Sequence, residues 1–355
     1  MDPDTERFTP EPIPLSLITG FLGSGKTTLI NRLLARDDMD ETAILVNEFG
    51  EIGLDHLLVQ QVSEEIVLLQ SGCICCTVSG ELVDSLRDLF VRRVRGEIPA
   101  FRRVVVETTG LADPAPIIHT LMADPTLEER YRLDGIVTTV DAYHGSGQLD
   151  AHPESVKQAA VADRIVLTKA DLAEPETVAR LRARLAGLNP GARVIVAEHG
   201  DVAPAALFDA GLFDPQTKTA DVERWLNEEA YARGSRHDGH DHGHNDVNRH
   251  DARIRAFCLT ADEPIAWERF AEWIEMLLST QGNNVLRVKG ILNVAGADTP
   301  IAIHGVEAMF HPPAALPAWR GPDRRSRIVF ITRDLGQGAI EESFRAFVTD
   351  PQAAE

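Results

Sequence analysis

The sequence is short of cysteine and has no long apolar run. Only four cysteines occur in 355 residues, and three of them fall within four positions. That spacing cannot build a disulfide framework, so we expect a reducing compartment, the cytoplasm, and a metal or redox role for the cluster. No stretch is apolar for long enough to span a bilayer. The acidic, proline-rich residues 1–12 are also unlike a secretory or mitochondrial leader, so no membrane partner is expected.

Basic side chains are too few for a general nucleic-acid-binding surface. The chain has 35 Lys and Arg residues against 55 Asp and Glu residues, which gives a net charge of −20. Nucleic-acid binding depends on Lys and Arg replacing the counterions of the phosphates, so we expect no nucleic-acid partner. The chain is 44% hydrophobic and 25% charged, the composition of a globular protein with a buried core.

Short β-branched runs alternate with amphipathic helical stretches as far as about residue 230. The predicted strands are 15–18, 43–46, 66–69, 104–106, 136–140, 165–167 and 194–196. They are apolar on successive residues, as are strands buried on both faces of a sheet. The pattern predicts an α/β fold: a P-loop NTPase with a mostly parallel sheet, followed by a smaller α+β C-terminal domain.

Composition divides the chain into four parts. We expect a disordered N-terminus at 1–12, a P-loop domain at 13–233, a His-rich flexible linker at 234–252 and an α+β domain at 253–350. In the last part, the apolar pattern predicts strands at 254–259, 285–294, 301–303 and 328–332, and helices at 265–278 and 338–348.

The first chemical motif is a phosphate-binding loop. Residues 20–27, GFLGSGKT, fit G-x-x-x-x-G-K-[ST] between a predicted strand and a predicted helix. The glycines allow backbone N–H groups to surround phosphate oxygens, Lys26 would contact the β- and γ-phosphates, and the Thr27 hydroxyl would bind Mg²⁺. The residues expected to bind nucleotide here are Gly20, Gly23, Ser24, Gly25, Lys26, Thr27 and Thr28.

Two later segments are expected at the same nucleotide. The strand 104–106 is followed by Glu107, which could hold Mg²⁺ directly or through water, and by Gly110, whose N–H could meet the γ-phosphate. The strand 165–167 leads into Thr168, Lys169 and Asp171. A carboxylate at Asp171 could accept two N–H groups of guanine but would be mispaired with adenine, so GTP is favoured over ATP. The usual first residue of this guanine motif is Asn, and Thr168 departs from it.

The cysteine cluster follows the strand 66–69. Cys73, Cys75 and Cys76 can supply three thiolates to one soft cation. Structural zinc sites usually close a tetrahedron with two separated pairs, so three local ligands leave a fourth position open or filled from elsewhere. An open site is what a metal carrier needs, although a redox trio or buried cysteines would also fit this segment.

These motifs together resemble the CobW-type metallochaperone GTPases. The resemblance rests on the phosphate loop, on residues 47–53 (NEFGEIG), on the CICC segment at 73–76 and on residues 107–110 (ETTG). It extends over the whole chain and implies that residues 253–350 form the CobW-type C-terminal domain. It also implies that Cys73, Cys75 and Cys76 bind zinc or a related metal, with Glu48 as a nearby ligand, and that GTP turnover controls transfer to an apo-metalloprotein client.

The residue that orients the attacking water is not evident from the sequence. No glutamine stands in an obvious place, so Glu48, Asp55 and Glu107 remain candidates beside Lys26, and turnover should be slow. The loop at 47–55 and the Cys loop both lie between Lys26 and Glu107. This is the part of a GTPase that reorders around the γ-phosphate, so we expect the thiolates to differ between GTP and GDP states.

Histidines are concentrated in the predicted linker. His237, His240, His242 and His244 could give weak, auxiliary ligation, although imidazole suits zinc, cobalt, nickel and copper alike. Three functional hypotheses follow from the motifs. The first is a GTPase that delivers zinc to clients, and the second is a GTPase that carries cobalt for cobalamin synthesis. The third is a metal store or sensor with negligible GTP turnover. The sequence leaves the oligomeric state open.

Overall fold

The computed structural model of the chain describes residues 11–47, 67–71, 78–208, 253–319 and 321–349. Across these ranges, no helix is both long enough and apolar enough to cross a membrane. The described residues form two sheets, one before residue 209 and one after residue 252.

The first sheet has seven parallel strands. In chain order they are β1 (Ile13–Gly20), β2 (Thr42–Asn47), β3 (Val67–Ser71), β4 (Arg103–Glu107), β5 (Tyr131–Asp141), β6 (Arg164–Thr168) and β7 (Arg193–Val196). Their order across the sheet is β3-β2-β4-β1-β5-β6-β7. The phosphate-loop strand β1 therefore lies at the centre, between β4 and β5, as expected for a ligand site at the carboxyl ends of parallel strands.

Helices cover both faces of this sheet. They are α1 (Lys26–Leu34), α2 (Val78–Val94), α3 (Pro114–Ala123), α4 (Pro125–Glu128), α5 (Gly145–Ala151), α6 (Pro153–Val161), α7 (Pro175–Leu188) and α8 (Pro204–Leu207). Alternate residues of a strand point to opposite faces. Accordingly, Leu17 belongs to the core under α2 and α3, whereas Ile18 packs in the core with α1. The predicted α/β class is confirmed; β7 is an edge strand whose Arg193 and Val196 are exposed.

The second sheet is antiparallel. Its strands are β8 (Ile254–Ala261), β9 (Val285–Leu292), β10 (Ile301–Val306), β11 (Met309–Phe310), β12 (Ala314–Ala315) and β13 (Ser326–Arg333), in the order β11-β10-β9-β13-β8 with β12 on β10. Helices α9 (Trp267–Gln281) and α10 (Gln337–Phe344) pack on one face around Trp273. The helix predicted at 265–278 begins at Trp267, two residues later than predicted, because Ile265 forms a β-bridge to Val294. The predicted helix at 338–348 ends at Phe344 and continues as a π-helical turn, Arg345–Thr349.

A buried charge network joins the two sheets. Asp163, just before β6, accepts hydrogen bonds from Arg287 and, at 2.6 Å, from Lys289, both on β9. His304 of β10 accepts from the same guanidinium at 3.1 Å. Burial alone would raise the pKa of Asp163, but the two cations hold it well below its usual value. The second domain is therefore docked on the first through a desolvated ion pair.

Candidate nucleotide-binding site

The phosphate loop between β1 and α1 turns at three glycines. Gly20, Gly23 and Gly25 have φ angles of 144°, 71° and 92°, a region that favours glycine. A Cβ atom at Gly20 would lie 2.2 Å from Oγ1 of Thr139 and 2.5 Å from its carbonyl oxygen. Side chains are thus excluded at the first glycine of the motif, and the loop backbone approaches β5 closely.

Lys26 and the start of α1 face this loop. The Nζ atom of Lys26 donates to the carbonyl oxygens of Gly20, at 2.8 Å, and Phe21, at 3.3 Å. The helix begins at Lys26 with Gly25 as its N-cap residue and no side-chain cap. N–H groups of an uncapped first turn, together with the helix dipole, favour an anion. Thr27 is half-buried and Thr28 is exposed in this first turn.

The acidic strand end predicted at Glu107 lies beside the loop. Glu107 is 5% exposed and pairs in register with Ile18 of β1. The backbone N–H of Thr108 donates to the carbonyl oxygen of Ile18 at 2.9 Å. Gly110 packs directly on Leu22 of the phosphate loop, since a Cβ there would meet the Leu22 nitrogen at 2.7 Å. The structure therefore brings Glu107 and Gly110 to the phosphate loop.

The predicted guanine segment is tied to the phosphate loop by two side chains. Oγ1 of Thr168 donates to the carbonyl oxygen of Ser24 at 2.6 Å and lies 3.3 Å from that of Val140. Lys169 adopts a left-handed backbone, φ 55°, and its Nζ donates to the carbonyl oxygen of Gly23 at 2.7 Å. Thr168, which stands where the guanine motif usually has Asn, therefore still makes a polar contact between β6 and the loop.

Asp171 follows in the short 3-10 turn Ala170–Leu172. Its carboxylate is 35% exposed, and Nδ1 of His199 lies 3.6 Å from its Oδ2 atom. That separation is beyond an ordinary hydrogen bond, so the carboxylate oxygens can still accept N–H groups from a ligand.

Sequence reasoning missed Asp141, which organises this part of the site. Asp141 is buried at the end of β5, and its Oδ2 atom accepts from Lys169 at 2.8 Å and from Nδ1 of His144 at 3.0 Å. Its Oδ1 atom accepts from the backbone N–H of Tyr143 at 2.8 Å. Burial raises the pKa of Asp141, but these hydrogen bonds outweigh it and lower the pKa. An acid ending an apolar strand, the signal used for Glu107, would also have found Asp141.

The predicted metal ligands lie outside the described residues. This applies to Cys73, Cys75, Cys76 and Glu48, and to His237, His240, His242 and His244. Within the described ranges, no group of three His, Cys, Asp or Glu side chains could hold a metal ion. The fourth cysteine, Cys258, lies half-buried on β8 and packs against the apolar cluster between the domains. The metal assignments therefore stay predictions.

The arrangement combines backbone amides, two ammonium groups (Lys26 and Lys169) and three acids (Glu107, Asp141 and Asp171) at the carboxyl ends of β1, β4, β5 and β6. Lys26 and the N-terminus of α1 could supply positive potential for phosphates, and Glu107 could supply a hard oxygen ligand for a divalent cation. The carboxylate of Asp171, which is 35% exposed, lies at the other end of the site. The arrangement suits a nucleotide whose phosphates lie over β1.

Known proteins resemble the chain, one along almost its whole length and another over about half of it. The zinc chaperone YjiA of Escherichia coli is 34% identical over 94% of this chain and 98% of its own. The zinc-regulated GTPase metalloprotein activator 1 of Schizosaccharomyces pombe is 34% identical over 54% of this chain and 47% of its own. The crystal structure of the zinc-bound YjiA GTPase superposes with a TM-score of 0.70 at 29% identity, covering 95% of this chain and 99% of that one.

Two family models match in sequence. The CobW/HypB/UreG nucleotide-binding domain matches residues 14–196, and the cobalamin synthesis protein CobW C-terminal domain matches residues 254–348. The first match covers the parallel sheet and the site just described, and the second covers the antiparallel sheet. The chain therefore belongs to the CobW/HypB/UreG family of nucleotide-binding proteins and carries the CobW C-terminal domain.

Proposed function

We propose that this chain is a cytoplasmic, GTP-hydrolysing metallochaperone that binds zinc and transfers it to apo-metalloprotein clients. The observation that carries the proposal is the clamp of Thr168 and Lys169 on the phosphate loop, which joins a guanine-recognising Asp171 to a phosphate site. Relatives named as zinc chaperones and as a GTPase metalloprotein activator support the choice of zinc and of clients.

The described residues fit a nucleotide with its magnesium ion. The close approach at Gly20 and the uncapped start of α1 suit phosphate oxygens, and Lys26 would bind the β- and γ-phosphates. Thr27 and Glu107 are oxygen donors of the kind that Mg²⁺ prefers, and the ion would neutralise phosphate charge during hydrolysis. The N–H of Gly110 is assigned to the γ-phosphate because Gly110 already packs on the loop.

In this proposal zinc is the cargo of the chain rather than a resident cofactor. We assign it to the thiolates of Cys73, Cys75 and Cys76, with Glu48 as the candidate fourth ligand. Three thiolates also suit Co²⁺ or Ni²⁺, so the type of ligand does not identify the metal, and a competition experiment between metals is needed. His237, His240, His242 and His244 are proposed as weak auxiliary ligands. For hydrolysis, Glu48, Asp55 and Glu107 remain the candidates that orient water.

The test is a competitive zinc titration against a chromophoric chelator, first with GDP and then with a non-hydrolysable GTP analogue. We expect one tight site that requires the three cysteines and differs in affinity between the two nucleotides. Steady-state phosphate release measured with an apo-client, or with zinc alone, should exceed the basal rate. Co²⁺ titrated in parallel should bind more weakly if zinc is the cargo.

Two variants separate the metal site from the nucleotide site. Cys75→Ser should abolish tight zinc binding and leave GDP affinity unchanged, whereas Lys26→Ala should weaken nucleotide binding and leave zinc bound. Tight zinc binding without measurable turnover would favour a store or sensor instead. Tighter Co²⁺ binding would favour a cobalt carrier, and zinc binding indifferent to Cys75 would refute the assigned site.

A further inference from the structure

Helix α6 spans the distance between the phosphate loop and the second domain. Its N-cap residue is His152, whose ring stacks on Phe21 of the phosphate loop with centroids 4.4 Å apart. Just beyond its C-terminal end, the carboxylate of Asp163 accepts hydrogen bonds from Arg287 and Lys289 of β9. Nine helical residues extend for about 14 Å, so one rigid element touches both sites.

Gln158 of this helix holds the segment that follows β4. Its side-chain amide donates to the carbonyl oxygens of Gly110, at 3.2 Å, and Ala112, at 3.0 Å. The backbone carbonyl oxygen of Gln158 accepts from Oγ1 of Thr138 at 2.8 Å. The 107–113 segment, assigned above to the γ-phosphate, is therefore fastened to α6 by a buried side chain.

The neighbouring Lys157 bridges the same segment to the second domain. Its ammonium pairs with the carboxylate of Asp113 on one side and with that of Glu307 on the other. Asp113 also caps α3, because its Oδ1 atom accepts from the N–H of Ala115 at 3.1 Å. Lys157 and Glu307 are only 18% and 22% exposed, so solvent screens this bridge less than an open surface pair.

Glu307 occupies an unfavourable backbone position for its residue type. It stands in the two-residue turn between β10 and β11 with φ 51°, a left-handed conformation that non-glycine residues adopt rarely. A glycine would occupy this position without strain. A carboxylate held there at a conformational cost points to a role for the side chain.

The space beside this bridge is not filled by packed side chains. A cavity of about 960 Å³ lies between the two domains, with Leu121 and Met122 of α3 on one wall and Phe270 and Ile274 of α9 on another. Apolar contact between α3 and α9 is therefore incomplete.

We propose that Lys157 is a positioning residue that couples the 107–113 segment to the C-terminal domain, so that the β10–β11 hairpin responds to the bound nucleotide. This rests on the proposed GTP binding. When the γ-phosphate draws in Gly110, Asp113 shifts with it and the Asp113–Lys157–Glu307 bridge is remade or lost. Two discrete arrangements of one bridge are what a nucleotide-driven switch requires.

The test is hydrogen–deuterium exchange of the full-length protein with GDP and with a non-hydrolysable GTP analogue, read on peptides covering 301–311. We expect the exchange rate of the hairpin to differ between the two states by about fivefold, the lower end of allosteric coupling. In Lys157→Met and Glu307→Gln, that difference should vanish while affinity for both nucleotides stays within about threefold, less than 1 kcal/mol.

Asp334 provides a matched control. It also has a left-handed backbone, φ 57°, and an ion pair, with Arg253, but both partners lie in the C-terminal domain. Asp334→Asn should therefore keep the nucleotide-dependent difference. Glu307→Gly adds a second discrimination, since it relieves the backbone and should uncouple the hairpin without lowering the melting temperature.

The outcomes separate the two proposals. Equal exchange of the hairpin in the two nucleotide-bound states of the wild type would overturn the coupling and leave the GTPase proposal standing. A retained difference in Lys157→Met would overturn the role of this residue. Absence of guanine nucleotide binding in the wild type would refute the proposed function itself.

Discussion

Thr168 donates a 2.6 Å hydrogen bond to the carbonyl oxygen of Ser24, a residue 144 positions earlier in the chain. The bond is buried, and it joins the end of β6 to the phosphate loop. Added to the bond from Lys169 to Gly23, it fixes where a base-binding segment lies relative to the phosphates. A hydroxyl at this position thus makes a contact that an amide side chain could also provide.

Replacing Thr168 should therefore separate the role of its hydroxyl from that of its shape. Thr168→Val keeps the volume but leaves a buried carbonyl without its donor, at a cost of about 1–3 kcal/mol. We expect lower thermal stability and weaker GDP binding, measured by calorimetry. Thr168→Ser keeps the hydroxyl and should retain most of the affinity; equal GDP affinity in the two variants would contradict the assigned role.

Gly110 should tolerate no side chain. A Cβ there would lie 2.6 Å from Cδ2 and 2.7 Å from the nitrogen of Leu22, so Gly110→Ala forces the 107–113 segment away from the phosphate loop. We expect at least about a tenfold loss of affinity for the GTP analogue, equivalent to 1.4 kcal/mol, and a smaller loss for GDP. Gly147→Ala in α5 is the control, because no atom lies within 4 Å of its Cβ position. Similar nucleotide affinities in both variants would remove Gly110 from the site.

Asp171 should determine which base is bound. Asp171→Asn replaces an acceptor of two N–H groups by an amide that mispairs with guanine, and each lost bond to a charged group is worth about 1.5–3 kcal/mol. We expect GTP affinity to fall by about a hundredfold or more. Xanthosine triphosphate, whose ring edge presents a carbonyl in place of the guanine amino group, should gain affinity. Unaltered base preference in a competition assay would place the base elsewhere.

Stability should depend on pH through the buried histidines at the domain interface. Burial, and then the charge of Arg287, lower the pKa of His311 from 6.5 to about 4, and the pKa of His304 falls well below its usual value for the same reasons. The unfolded chain therefore binds protons that the folded chain excludes between about pH 6.5 and 4, and stability is lost as the pH falls through this window.

Chemical denaturation at several pH values measures this effect. Each histidine should contribute a slope of up to about 1.4 kcal/mol per pH unit between pH 6.5 and 4. His311→Phe should flatten the slope, because it removes one of the two buried imidazoles. A pH profile unaffected by His311→Phe would show that His311 does not titrate with unfolding.

The histidine-rich segment at 234–252 gives a prediction from sequence alone. Its removal, with a Gly–Ser spacer of equal length, should lower the number of zinc ions bound at saturation because weak imidazole ligands are lost. GTP hydrolysis should not change, since none of the residues assigned to the nucleotide lies in this segment. Unchanged zinc stoichiometry by atomic absorption would argue against a capture role.

The local pattern was enough to predict the sheet, the phosphate loop and the strand-ending acid Glu107. Consecutive apolar residues predicted buried strands throughout this sheet, and the edge strand β7 is more exposed than its sequence suggests. The π-helical turn after Phe344 was missed because the apolar spacing continues without a break. Ile265 was placed in a helix because its bridge to Val294 is a tertiary contact that periodicity does not reveal.

The side-chain contacts that hold the site together could not be predicted from the sequence. Nothing in the sequence distinguishes Gln158 and Lys157 from other polar residues of a helix. The residues that their side chains contact lie more than 40 positions away in the chain. In the sequence, Thr168 is only a departure from the usual Asn of the guanine motif. Its hydrogen bond to Ser24 depends on how the fold places β6 beside the phosphate loop. Residue type and spacing therefore predicted the residues assigned to the nucleotide, while the side chains that hold those residues in place required the fold.

The ion pair of Asp163 with Arg287 and Lys289 also limits how the two domains can be exchanged between relatives. A chimera whose C-terminal domain lacks either cation, or whose first domain lacks the acid, leaves charge buried and uncompensated. Loss of one partner in such a pair typically costs about 3–5 kcal/mol, a large part of the stability of a domain. Recombination at the 209–252 boundary should therefore succeed only between chains that share this charge pattern.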